Sequence, residues 1–303
     1  MRMTAHADVD LLLIGHVARD YNVVDGQGRM ATGGGVYYGS VALRRLGLRV
    51  AVVTRLHPDD FAALEELRDE GVQVYASAAP ETSGIANYYR SDDMERRICK
   101  PLGFAGPIGP SEIPGVAARI YAIVPIIAGE VDLAVLEALA RRGPVALDVQ
   151  GFVRVRDDSG PAPALVFRPW ADMAHGLSLV TYLKVDRAEA ELLTGETDLH
   201  AAARKLAGYG PREIVLTQSS GVTVLAEGRF HEAPFRPRSL AGRTGRGDTC
   251  FASYLGTRLS APPGDAARLA AAVTTLKQEQ PGPWRGSRAA VQRLLGTEEA
   301  PAG

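Results

Sequence analysis

The segment 241–259, AGRTGRGDTCFASYLGTRL, holds the densest set of groups able to do chemistry. Gly242, Gly245 and Gly247 open the backbone to turns closed to other residues, and from Asp248 onward Phe251, Leu255 and Leu259 recur at helical spacing. A loop therefore delivers unpaired amides to a helix start, where they and the positive end of the helix dipole suit a phosphate or a developing oxyanion. Asp248 stands at that mouth with two readings. It is a helix cap, Asp being among the commonest N-cap residues, or it is a base that takes the proton of a hydroxyl attacking a phosphoryl group held by the amides. Asp20 lies just past the apolar run VDLLLI, Val9 to Ile14, where open α/β sheets bind ligands; it holds substrate hydroxyls or merely turns the chain. Gly33 and Gly34 precede a second helix, and Gln150 with Arg154 follows a strand ending at Asp148, facing a ligand or simply starting a loop.

Composition narrows the partners. The 303 residues are 46% hydrophobic and 23% charged, as in an ordinary soluble globular protein, and 34 basic against 35 acidic residues leave no global field for a nucleic acid or an anionic membrane. Any anion must be held by local groups. Cys99 and Cys250 are the only cysteines, which argues against a disulfide framework, and no signal-peptide flank or spanning segment stands out, so a cytoplasmic protein is expected. A P-loop, a dinucleotide G-x-G-x-x-G after the first strand, a C-x-x-C pair and a G-x-S-x-G elbow are all missing.

To position these groups the chain alternates strand and helix patterns. VDLLLI reads as a central strand, residues 36–47 as a helix, 49–56 as a strand, 58–70 as a helix stopped by Gly71, and VQVYA as a strand, the rhythm of a parallel sheet covered on both faces. Two stretches break it. Residues 16–32 and 84–104 read as hairpins, the second turning at Ser91 to Met94, which pair into a small antiparallel lid over the site. The lid edge is equally a candidate homodimer surface. Residues 154–167 read as a surface excursion, LSLVTYLKVD as a strand, RAEAELLTG as a helix, and Thr197-Asp198 as the start of another through Ala207. Strands over 212–234, a helix over 265–277 and a short final helix follow. One domain over 1–303 is expected, with 297–303 as a frayed tail.

Gly33-Gly34 with the helix end Leu46-Gly47, and Thr244 to Asp248 downstream, resemble the two signatures of the PfkB/ribokinase family of small-molecule kinases, and the likeness covers nearly the full chain. The resemblance implies a three-layer α/β sandwich with a mostly parallel central sheet and a small β lid. It implies ATP-dependent phosphorylation of a hydroxyl on a small sugar, an inositol-like polyol or a nucleoside. Asp248 is then the base and Gly245, Arg246 and Gly247 the anion hole, with Asp20, Gly33 and Gly34 on the substrate. The family's Asn-x-x-Glu is matched by Asp186-Arg187-Ala188-Glu189, implying Mg2+ near Asp186 and Glu189, while Lys184, Thr217, Gly221 and Thr244 fall on the nucleotide side. The chain departs from the pattern where Arg246 replaces Ala, Asp186 replaces Asn, and Gly242-Arg243 replaces Asp-Thr. Val36-Tyr37-Tyr38 stands where the ribokinase branch has Asn, which with residues 276–284 is similar to inositol and nucleoside kinases and makes Tyr38 a stacking candidate or a packing residue. The departures keep a second reading open, a non-catalytic ligand-binding regulator on the same fold.

Overall fold

The computed structural model describes residues 7–299. In chain order its elements are β1 (Val9–Ile14), β2 (Ala18–Val24), β3 (Gln27–Gly33), α1 (Gly35–Arg45), β4 (Val50–Leu56), α2 (Ala63–Asp69), β5 (Gln73–Ala78), β6 (Gly84–Arg90) and β7 (Asp93–Gly103). After them come β8 (Ala118–Ile123), α3 (Leu133–Ala140), β9 (Val145–Asp148), α4 (Gln150–Val153), β10 (Arg154–Asp157), β11 (Ala164–Phe167), α5 (Met173–Ser178) and β12 (Tyr182–Asp186). The last stretch holds α6 (Arg187–Thr194), α7 (Leu199–Ala207), β13 (Glu213–Thr217), β14 (Gly221–Ala226), β15 (Arg229–Pro234), α8 (Arg246–Arg258), α9 (Pro263–Gln278) and α10 (Arg288–Glu299).

The large sheet runs β15-β14-β13-β12-β9-β8-β1-β4-β5, parallel from β13 to β5, with β14 and β15 antiparallel at one edge. Strand alternation splits the core in two. Leu11 and Leu13 of β1 pack with α1, α2, α8 and α9 through Val41, Leu64, Phe251 and Ala270, whereas Leu12 and Ile14 pack with α3, α6 and α7 through Leu136, Ala190 and Leu206. The result is the expected three-layer sandwich. No described helix is long and apolar enough to cross a membrane.

Several expectations are corrected. The region 58–70 is broken into a 3₁₀ turn, Pro58–Asp60, with its start capped by His57, and the shorter α2. The supposed excursion at 154–167 contains the antiparallel pair β10 and β11, because Arg154 to Asp157 and Ala164 to Phe167 find each other across the Pro-Gly tip. LSLVTYLKVD is not one strand: residues up to Ser178 belong to α5, and only Tyr182–Asp186 enters the sheet. The lid is a four-stranded sheet, β3-β2-β6-β7, but a mixed one, since β2 and β6 pair in parallel. Each hairpin leaves the end of a parallel strand, β1 or β5, so their first strands run the same way. The outer lid exposes Met30, Tyr88, Ile98 and Leu102. Finally, α10 runs on to Glu299, taking in the first residues of the expected tail; 300–303 lie outside the described residues.

The end of β1 is tied to its neighbours by a buried polar knot. Glu130 accepts the His16 amide and, at 2.8 Å, that of Ile126 beyond β8; His16 Nδ1 meets Ser83 Oγ, at the root of β6, at 2.7 Å. Burial pushes the Glu130 carboxyl up to about 7 and the His16 imidazole down to about 3. Between the ordinary values of 4.5 for Glu and 6.5 for His, the folded protein keeps a Glu130 proton that the unfolded chain releases. The unfolded chain, in turn, holds a His16 proton that the fold excludes, so the two contributions to pH dependence cancel. Glu130→Gln deletes the first. Its stability should then fall with acid more steeply than the wild type's, by about 1.4 kcal/mol per pH unit between these values, in urea denaturation at a series of pH values. An identical slope in the two proteins would mean that Glu130 is ionised in the fold.

Candidate active site

The chemistry converges on the carboxyl ends of the parallel strands, as the topology of open α/β sheets requires. One cleft is lined by Asp20, Gly34, Tyr38, Gln150, Lys184, Asp186, Thr217, Thr244, Gly245, Arg246, Gly247 and Asp248. Gly33, Glu189 and Gly221, also expected at the site, are not part of this lining, and Gly221 lies against Ala233 and Pro234 of β15.

At its centre is the start of α8. Gly245 adopts the left-handed conformation, φ 82, as N-cap; a Cβ there would also fall 2.4 Å from the Tyr38 ring. Arg246 N–H donates to the Arg243 carbonyl at 3.2 Å and Thr249 N–H to that of Gly245 at 3.0 Å, but the amides of Gly245, Gly247 and Asp248 find no acceptor among the described residues. Open donors at a helix start are of the kind that can hold an anion. Asp248 is the third residue of the helix and makes no capping bond, which removes the cap reading.

To one side lie groups suited to a polyhydroxyl ligand. Asp20, in β2, accepts the Ile85 amide at 2.9 Å through Oδ1. Gly33 lies directly beneath it, where a Cβ would come within 2.2 Å of Oδ2. Gln150 Oε1 accepts from Arg154 Nη2 at 2.7 Å, so the two act as a pair. Ile85, Asn87 and Ile126 complete this wall.

On the other side, Lys184 Nζ reaches Asp148 at 3.0 Å and Glu189 Oε2 at 3.8 Å, all three side chains being buried. Burial alone would strip the Lys184 proton, yet the Asp148 and Glu189 carboxylates outweigh it and hold the ammonium charged. Burial also raises Glu189, to about 7. Asp186 and Glu189 form a reciprocal capping box on α6, Glu189 N–H to Asp186 Oδ1 at 2.9 Å and Asp186 N–H to Glu189 Oε2 at 2.7 Å. Glu189 Oε1 is left buried without a hydrogen-bond partner, and Asp186 lines the cleft. Two carboxylates with one unspent oxygen suit a hydrated Mg2+ held chiefly by phosphate and water; no cluster of three or more metal-binding side chains occurs among the described residues.

The lid reaches the loop directly: Tyr89 OH in β6 lies 3.0 Å from Thr244 Oγ1, and the Arg243 guanidinium stands 5.8 Å from the Tyr89 ring centre. Reading the sequence missed Arg243, Asn87 and the Lys184–Asp148 pair as site components. The signal for Asn87 was a polar residue at an inward position of a lid strand, since it is buried between Ala86 and Tyr88.

This geometry has relatives. Residues 8–288 match the profile of the pfkB family of carbohydrate kinases. The chain belongs to that family. It is therefore a phosphotransferase that acts on a hydroxyl group. The cytidine kinase of Thermococcus kodakarensis is 26% identical over 259 residues, 82% of this chain and 87% of that protein. A pyrophosphate-dependent kinase of the ribokinase family, solved with sulfate, shares 37% identity at a TM-score of 0.86, over 93% of this chain and 99% of the other. A structure of such a kinase with a pyrophosphate analogue and myo-inositol shares 36% identity at 0.85, with the same coverage.

Lys184 is the cation on which two buried carboxylates depend. Lys184→Met should cost about 3–5 kcal/mol in chemical denaturation near pH 8, the usual result of leaving buried charge uncompensated. The loss should shrink near pH 5.5, below the raised value of Glu189, where that carboxyl takes up a proton instead. A loss of the same size at both pH values would refute the ion pairing.

Proposed function

We propose that this kinase phosphorylates a hydroxyl of a small ring polyol, inositol or a sugar, and that its donor is pyrophosphate in preference to ATP. The observation that carries the reading is a single cleft lined by Asp20, Asp248 and the open amides of α8. The acceptor's hydroxyls would be held by Asp20, Asn87, Gln150 and Arg154, with Ile85 and Ile126 against the ring. Asp248 takes the proton of the attacking hydroxyl as its oxygen bonds to phosphorus, the bridging P–O bond of the donor breaks, and inorganic phosphate leaves with the bond's electron pair. The Gly245, Gly247 and Asp248 amides stabilise the charge on the transferring group. Magnesium, held by Asp186 and Glu189, would neutralise donor oxygens.

Charge and shape favour pyrophosphate. Relative to the family pattern, Gly242, Arg243 and Arg246 remove one negative and add two positive charges at the loop, while Asp186 adds one negative, so the donor end gains positive charge suited to a small polyanion. Lys184 and Thr217 stand beside Gly247 in a lining that also holds Asp186 and Arg246, whereas the apolar lining residues Ile85 and Ile126 are hydrogen-bonded through their main chains to Asp20 and Gln150. The likeness to pyrophosphate-dependent kinases at 36–37% identity points the same way. ATP, the donor implied by the family likeness, is the competing reading.

Turnover should be followed as phosphorylated product with pyrophosphate or ATP, each with Mg2+, against a panel of cyclitols, sugars and nucleosides. Pyrophosphate should give the higher kcat/KM by at least about 100-fold, the discrimination expected when a second substrate lacks its binding groups. Turnover with ATP alone would return the donor to a nucleotide, and none with either would favour the regulator. Asp248→Asn should lower kcat by about 10²–10⁴-fold with acceptor binding retained, measured by calorimetry. Wild-type kcat in that variant would remove Asp248 from proton transfer.

A further inference from the structure

Lys277, in the last turn of α9, is only 2% exposed, and its ammonium has no carboxylate within 4 Å among the described residues. Its Nζ donates to the Gly242 carbonyl and lies 5.1 Å from the centre of the Tyr38 ring. Burial pushes its pKa down to about 7, with Asp248 the charge that opposes the shift. An ammonium buried without a counter-ion is costly, as the lowered value reflects, and its surroundings offset only part of that cost.

They do so at the point where the anion-hole loop meets α9. Gly242 N–H donates to the Gln278 carbonyl at 2.7 Å. A Cβ on Gly242 would come 1.8 Å from the Gln280 carbonyl oxygen and 2.6 Å from that of Lys277, so the loop begins hard against the negative end of a helix. The Gly242 carbonyl adds to that crowd of oxygens. A cation is needed there, and Lys277 supplies it. The same side chain packs on the Tyr38 ring, whose other neighbour is Gly245, the residue that turns the loop into α8.

We infer that Lys277 is a positioning residue, an internal cation that pins the start of the anion-hole loop to α9 and seats the Tyr38 ring beneath Gly245, so that the α8 amides are pre-arranged for the donor. It touches neither reactant. The inference rests on the proposed kinase reading, so the first readout is donor binding, which needs no turnover.

Lys277→Met keeps the stem and removes the charge. By calorimetry it should bind pyrophosphate at least tenfold more weakly than wild type, with the donor KM raised and the acceptor KM within twofold. Lys277→Ala opens a space the size of propylammonium; propylammonium should restore at least a third of its lost donor affinity, and tetramethylammonium at equal ionic strength should not. Thermal melting identifies folded variants, and either substitution suffices for the comparison. Equal binding by wild type and Lys277→Met, or a folded Lys277→Ala that no amine improves, overturns the inference. Wild-type protein that binds pyrophosphate but phosphorylates nothing sinks the kinase reading alone. Wild-type protein that binds neither pyrophosphate nor ATP overturns both.

Discussion

A helix that begins with amides lacking acceptors must either hydrate them or offer them to an anion, and the molecule is arranged so that the start of α8 opens into the cleft. Gly245 turns the chain into the helix in a left-handed conformation, Tyr38 fills the volume its missing side chain leaves, and the strand ends bring acids and cations to both sides. The packing of Phe251 and Leu255 into the core fixes the helix axis, and with it the direction in which those donors face. Everything else in the cleft is placed relative to this one start.

Charge is distributed around it in layers. Lys184 is locked between Asp148 and Glu189 on the floor, whereas Arg243 and Arg246 line the wall. Lys184 is buried in that pairing, whereas Arg243 and Arg246 are half-buried. The opposite end is neutral where it could have been ionic, since burial leaves His16 and Glu130 both uncharged in mildly acid solution while their hydrogen bonds tie β1, β8 and the lid.

Much of this was legible in the residues themselves. The run from Val9 to Ile14 announces a strand buried on both faces, and the glycines before Asp248 announce a turn into a helix start, because each follows from local sterics or periodicity. What stayed hidden depends on contacts between distant segments. The parallel pairing of β2 with β6 follows from where two hairpins leave the sheet, and the β10–β11 pair joins segments across a tip that reads as loop. The Lys184–Asp148 ion pair spans 36 residues, and that Asp248 sits a full step inside the helix follows from a dihedral angle at Gly245. No spacing rule reports such meetings.

Gly33 carries a consequence for evolution and for redesign. A side chain there would meet the Asp20 carboxylate, so any larger residue must displace the group that accepts the Ile85 amide. Ile85, Asn87 and Ile126, by contrast, meet the cleft through side chains that can be exchanged without moving the main chain. Change in the shape of the cleft therefore has its freedom on the lid and the β8 loop, and its tighter boundary beneath Asp20.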